Sequence, residues 1–390
     1  MGQYHYQIAM MGNPWIELSK LQDLIERATI ELGLEPSMVR VIAEDEMSSR
    51  DRKSPLVAVF FGYLGAKTDW HPQIKLVHKD SLPIIPVVYD LDGFRAKVPE
   101  ILESINGFQL RDDADMARLV SIIFENLNLL REERRLFISY RRIESTGVAI
   151  QLFEALDSRG FDVFLDTRSV RPAVNFQSEL WHRLSDSDVV ILLDTPDFRL
   201  SDWTVKELTQ ANATNVQILH LLWPGVIPDA SSSFSDFFQL DVGSFADKAM
   251  PNLTSRLSEQ CLSEVCRRSE SLRARALAAR YAYLVDNFCD VARSHGHDVA
   301  IHPERYVSFE TAGKTIAVFP VVGVPTSPRL EAFEEIVRHM NPPPAVRVIY
   351  DERGILDRWR LHLGWLSSHL PVKAVQMSTL PDAFTTGSIQ

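Results

Sequence analysis

The chain is poor in the features that define several protein classes. Only three of its 390 residues are cysteine, Cys261, Cys266 and Cys289, too few for a disulfide framework. With no basic-then-apolar leader at the N-terminus, they read as reduced thiols of a cytosolic protein. The Cys261–Cys266 spacing has no second cysteine pair or nearby histidine, so it does not read as a zinc site. Glycine (17) and proline (21) are at ordinary levels, which excludes collagen-like and low-complexity chains. No apolar run approaches the roughly 20 residues of a membrane helix; the longest spans residues 56–66. Gly2 follows Met1, but Tyr6 replaces the Ser or Thr of a myristoylation signal. Positive charge is in deficit, 41 Lys and Arg against 52 Asp and Glu, a net charge of −11. That balance argues against a broad nucleic-acid-binding surface.

What is present fits a globular chain, 45% hydrophobic and 24% charged, long enough for two to three domains at about 150 residues each. Short, continuous apolar runs alternate with helix-period segments, the pattern of parallel strands buried on both faces. In the first third, strands are expected at 6–10, 39–43, 56–61 and 84–89, with helices at 14–34 and 116–130. The mixed charges of 131–135 read as a junction. The middle third places strands at 136–140, 161–165, 189–193 and 216–222. Its helices are expected at 147–160, 176–184, 200–213 and 253–266. The last third has a long helix at 271–294, strands at 299–301, 315–322, 345–350 and 372–376, and helices at 329–339 and 356–370. The polar tail after Pro381 reads as loose. Three modules are therefore expected, 1–132, 133–268 and 269–390.

The first two modules share an order of signals. Each has an apolar strand, a loop, an Asp-Trp pair (Asp69-Trp70, Asp202-Trp203), another apolar strand and a Phe-Gln-Leu triplet (108–110, 238–240). The first third reads as a diverged copy of the middle.

Three boxes stand out in the middle module: FISYRR at 137–142, FLDTRSVRPAVNF at 164–176 and SDWTVKEL at 201–208. In order and spacing they resemble the TIR (Toll/interleukin-1 receptor homology) domain, over about residues 133–268. They are closest to its NAD+-consuming branch, found in bacterial anti-phage defence and in the animal NADase of axon degeneration. The resemblance implies tandem flavodoxin-like parallel sheets with a TIR domain in the middle. It also implies NAD+ glycohydrolysis or cyclisation, NAD+ as substrate with no cofactor, and activation by self-association through loop 168–175.

Glu207 matches the family's catalytic glutamate. Ser139, Tyr140, Arg141, Arg142, Asp166, Phe176 and Trp203 are expected around the substrate: Trp203 stacking on it, and Arg141 or Arg142 meeting the pyrophosphate. The physical reading agrees, because ligands of doubly wound sheets bind beyond the carboxyl ends of the strands. Trp203 and Glu207, four apart on a helix, would share one face. The family's Pro-Gly is here Pro172-Ala173, which alters the loop. The N-terminal copy has Ile74 four residues after Trp70 and ends its first strand in Met10-Met11-Gly12, so no NADase activity is expected there. His295, His297 and His302 need not converge, and no metal is expected. Two other readings stand beside the enzyme. One is a non-enzymatic TIR scaffold; the other is a nucleotide-signal receptor with a TIR effector. The activator, protein or nucleotide, is not legible; neither a membrane nor a nucleic acid is an expected partner.

Overall fold

The computed structural model describes residues 6–16, 18–52, 54–69, 71–165, 176–198, 216–228, 235–302 and 304–389, with the backbone alone at 176 and 177. The chain divides into two compact units. One comprises Met1–Glu132 with Leu262–Arg275; the other comprises Glu133–Cys261 with Ala276–Gln390.

The first unit is built on five parallel strands: β1 (Tyr6–Gly12), β2 (Val39–Ala43), β3 (Leu56–Phe61), β4 (Ile84–Val88) and β5 (Phe108–Gln109). Their order is β2-β1-β3-β4-β5. β3 reads LVAVFF and every residue of it is buried, as a central strand with both faces covered requires. Helices α1 (Leu18–Glu31), α2 (Pro72–Lys79) and α3 (Asp113–Asn126) belong to this unit. α1 is shorter than the apolar period suggests, and Gly33 at φ +72° turns the chain after it. α3 starts three residues earlier than expected because the Asp112 carboxylate accepts from the Asp115 amide at 2.8 Å.

A single 36-residue helix, Glu259–Ser294, replaces the two helices expected at 253–266 and 271–294. It runs unbroken through 268 and 269, where the second and third modules were expected to meet. Its opening is capped by Ser258, which accepts from the Cys261 amide. Within the first unit it contributes Arg273, fully buried, whose guanidinium meets Glu125 at 2.7 Å and donates to the Arg131 carbonyl. Ser121 donates to Glu270 (2.8 Å) and Ser271 to Glu31 (2.6 Å). Buried charge persists only when paired and hydrogen-bonded, and Arg273 satisfies that rule.

In the second unit, β6 (Arg135–Ser139), β7 (Asp162–Leu165), β8 (Val189–Asp194), β9 (Gln217–Leu222) and β10 (Asp236–Gln239) form another all-parallel sheet. The order β10-β9-β8-β6-β7 is that of the first sheet read from the other edge. The Phe-Gln-Leu triplets prove equivalent: each supplies the short fifth strand of its sheet. Helix α4 (Arg142–Asp157) begins five residues before the expected start at 147, and Ser145 (φ −139°, ψ 22°) breaks its regular first turn. Helix α5 spans Phe176–Asp186. The long helix takes the label α6.

The remaining sheet is mixed. β11 (Val299–His302), β12 (Tyr306–Thr311) and β13 (Lys314–Val321) are antiparallel; β14 (Ala345–Tyr350) and β15 (Lys373–Gln376) continue in parallel. β12 was not expected, since its polar alternation YVSFET follows a turn at 304–305 and pairs locally as a hairpin. Helices α7 (Ser327–Val337), α8 (Asp357–His369) and α9 (Leu380–Thr386) complete it. The tail is not loose: Ala383, Phe384 and Ile389 are buried, which corrects the reading of 382–390 as a polar end.

This mixed sheet's loops and helix α8 grip α5. Arg280 of α6 donates to the carbonyls of Ser185 (2.6 Å) and Ser187 (2.9 Å), and the Val324 amide donates to Asp186 (3.0 Å). Arg358 pairs with Glu179 at 3.0 Å, and Trp359 stacks on His182. Gly354 (φ +78°) lies so close to Ser185 that a Cβ would overlap its hydroxyl. Burial at this contact pushes the His182 pKa down to about 4.

Candidate functional site

The carboxyl ends of β6 and β8 carry the polar residues of the middle sheet. In β6, Leu136, Phe137 and Ile138 are apolar and fully buried, and Ser139 closes the strand. Tyr140 and Arg141 make the turn into α4, with Arg141 as its N-terminal cap residue and Arg142 its first residue. Ser139 and Tyr140 are buried, 2% and 6% exposed, so they shape the floor beneath this turn. Ser139 Oγ has no hydrogen-bond partner among the described residues. Arg142 is exposed and Arg141 intermediate.

Arg141 is held by two carboxylates. Its Nη1 lies 3.0 Å from Glu144 Oε1 and 3.0 Å from Asp197 Oδ2. The other Glu144 oxygen accepts from the Thr195 hydroxyl. Glu144 thus ties the first turn of α4 to the segment after β8. The β8 end itself carries Asp194, which lies 3.6 Å from His220 Nδ1 on β9; both are buried. The Trp223 amide donates to the Asp194 carbonyl at 3.0 Å, fixing that corner. Neither ring nitrogen of His220 has a hydrogen-bond partner among the described residues, and its ring packs 4.9 Å from Phe237.

Of the residues expected at the site, Ser139, Tyr140, Arg141 and Arg142 come together at one strand end. Phe176 opens α5. Asp166, Trp203, Glu207 and loop 168–175 lie outside the described residues, as does the helix expected at 200–213. Sequence reasoning missed Glu144, Thr195 and Asp197. Two signals mark them: Glu144 falls three residues after Arg141, hence on its face of the helix. The stretch Asp194-Thr195-Pro196-Asp197 is an abrupt polar cluster after an apolar strand.

The corresponding end of the first sheet is organised differently. Gly12 ends β1 with φ +79°, so close to β3 that a Cβ would overlap the Phe61 carbonyl oxygen. The Gly12 amide donates to Glu44 at 2.9 Å. Tyr63, after β3, donates to Asp69 at 2.7 Å; burial and that carboxylate push its pKa up to about 12. Ile74 is fully buried on α2.

In the mixed sheet, His302 stacks on Tyr306 and bonds Ser308, while His295 and His297 flank Phe384. The described residues include no group of three or more His, Cys, Asp or Glu able to hold a metal. The three cysteines are free and buried. No described helix is long and apolar enough to cross a membrane.

No curated protein matches the chain. Among solved structures, it is similar to a Silicibacter pomeroyi protein assigned as a phosphosugar isomerase: 11% identity, 70% of this chain and 85% of that one, TM-score 0.17. It is also similar to a Burkholderia pseudomallei protein assigned as an aminotransferase: 14% identity, 80% and 85% coverage, TM-score 0.19. A Vibrio cholerae protein matches at 9% identity, 98% and 97% coverage, TM-score 0.20. Superpositions this poor carry no argument about fold or activity. The family comparison is specific: residues 136–251 match the family model described as TIR domain. These residues take in β6 to β10 and all three boxes, and the middle segment of this chain is a TIR domain.

Proposed function

We propose that the TIR segment cleaves the nicotinamide–ribose bond of NAD+, as the effector of a prokaryotic defence or signalling system. The observation that carries this reading is the pairing of the FISYRR and SDWTVKEL boxes in a segment matched by the TIR family. Arg141 and Arg142 stand at the β6 carboxyl end, where ligands of such sheets bind.

The chemistry asks little of the protein beyond electrostatics. Departure of neutral nicotinamide leaves an oxocarbenium-like ribosyl cation at C1′. The Glu207 carboxylate would stabilise that cation and hold the ribose hydroxyls by charge-assisted hydrogen bonds. Trp203 would stack on the substrate, and Asp166 and Phe176 would position the segment between β7 and α5. Arg141 or Arg142 would meet the diphosphate. A water attacking C1′ yields ADP-ribose and releases a proton; an internal nucleophile yields a cyclic product from the same cation.

Glu207→Ala in the full chain tests the reading. NAD+ turnover should fall about 10²-fold or more, the scale of losing one positioned electrostatic group. Equal turnover by wild type and mutant removes Glu207 from the catalytic role; no turnover by wild type at any protein concentration rejects the enzyme in favour of the scaffold. Assembly control predicts that specific activity rises with protein concentration; a constant value from nanomolar to micromolar protein rejects it.

A further inference from the structure

We propose that Asp197 occupies, on Arg141, the position that the substrate's diphosphate takes, so that this carboxylate sets the affinity for the dinucleotide. The inference rests on the NAD+ reading above, and it selects Arg141 as the diphosphate ligand.

The two acids on Arg141 are held in unequal ways. Glu144 stands in the first turn of a 16-residue helix, its side chain one-fifth exposed. One oxygen takes the guanidinium and the other takes the hydroxyl of Thr195, which is fully buried. Glu144 therefore aims Arg141. The Asp197 side chain is 56% exposed and meets the same Nη1 from the solvent side of the turn. A guanidinium offers five donors in a planar fork matched to carboxylate and phosphate alike. An exposed ion pair is weak in water, so an incoming anion can displace Asp197. Displacing the buried-side partner would also break the Thr195 contact.

The substrate's diphosphate carries two negative charges at neutral pH. To reach Arg141 it must displace Asp197 and then remain beside that charge. Both effects oppose binding, and neither involves the ribosyl centre where the bond breaks. Asn at 197 keeps the shape and removes the charge. Because the diphosphate is bound alike in ground and transition states, the gain belongs in KM and not in kcat. A residue that merely props the loop would behave oppositely: its loss would raise KM, lower kcat or lower Tm.

The experiment uses the full chain. KM and kcat for NAD+ are measured for wild type, Asp197→Asn, Arg141→Gln and the double variant. A calorimetric Kd for ADP-ribose is measured on each, with no turnover required. Asp197→Asn should lower KM and Kd about three- to fivefold with kcat unchanged, the range of an exposed ion pair. The difference should shrink at about 0.5 M salt, where such charges are screened. In the Arg141→Gln background the gain should vanish. An unchanged or raised KM and Kd in Asp197→Asn overturns the proposal, as does a gain that persists without Arg141. Failure of ADP-ribose to bind either protein overturns it too. Absence of NAD+ turnover alone rejects the enzymatic reading, while the ADP-ribose titration still decides the role of Asp197.

Discussion

The first and middle sheets share a strand order and differ at their carboxyl ends. In the first, Gly12 presses against β3 and its amide is taken by the chain's own Glu44. In the middle sheet, the equivalent strand ends at Ser139, Tyr140 and Arg141 follow, and a guanidinium stands at the mouth of the turn. Fold depends on buried strands such as LVAVFF and VVILLD, which both modules keep. Chemistry depends on a few residues beyond those strands, free to change without disturbing the core. The two sheets thus keep one strand order while the residues at their carboxyl ends differ.

The two units also treat buried arginine differently, though both arginines come from α6. Arg273 is neutralised by the Glu125 carboxylate, whereas Arg280 donates to backbone carbonyls of Ser185 and Ser187. The largest effect expected from breaking this comparison is therefore Glu125→Ala. It removes the Glu125 carboxylate from a buried guanidinium and should destabilise that unit by about 3–5 kcal/mol in denaturant unfolding. The TIR unit should keep its own transition; one common shift of both units would show that they unfold together.

Gly12→Val attacks the second difference. It adds a Cβ where the Phe61 carbonyl already sits and forces a branched residue to positive φ, so a loss of about 2–4 kcal/mol is expected. Protease resistance of the first unit is the simple readout; undiminished resistance would mean that β1 and β3 separate without penalty.

A pH effect near neutrality should mark the second unit. His182 has its pKa depressed to about 4 by burial, so between that value and the ordinary 6.5 the unfolded chain binds the extra proton. Stability should be full above about pH 6.5 and fall as pH drops toward 4. In His182→Gln the fall over this window should flatten, as seen in Tm against pH. A profile identical to wild type would move the effect to another group.

The smallest effect is expected from Glu44→Gln. The Gly12 amide keeps an acceptor and loses only its charge, so roughly 0.5–1 kcal/mol should go. NAD+ turnover should not change; a change would give the first module's crevice a functional role that its residues do not suggest.

Much of the fold was legible because its signals are local. Continuous apolar runs mark the central strands, and the repeated order of strand, Asp-Trp and Phe-Gln-Leu matches two sheets of the same strand order. The antiparallel β12 and the buried tail were harder to read. Half-polar YVSFET resembles a loop until β13 pairs with it, and Phe384 resembles a stray apolar residue until Phe288 and Phe309 surround it. The continuity of α6 was hidden for a related reason: Arg267, Arg268 and Glu270 fall between the two expected helices and look like a linker, yet the first unit buries Glu270 together with the nearby Arg273. Removing residues 1–132 would accordingly strip Val265, Cys266 and Leu272 of their cover, so that truncation is not a neutral test of the module.

By itself, then, the sequence determined the α/β class, the common order of signals in the first two sheets and the TIR boxes, including the arginines that follow β6. Each of these lies in residue order and short-range period. Tertiary structure alone decided the rest. It chose Glu144 and Asp197 as the partners of Arg141, paired Arg273 with Glu125 across 148 positions of chain, and set the mixed sheet's α8 against α5. No local pattern encodes such pairings, because an ion pair or a stacked ring depends on where two distant segments meet once the strands have found their neighbours.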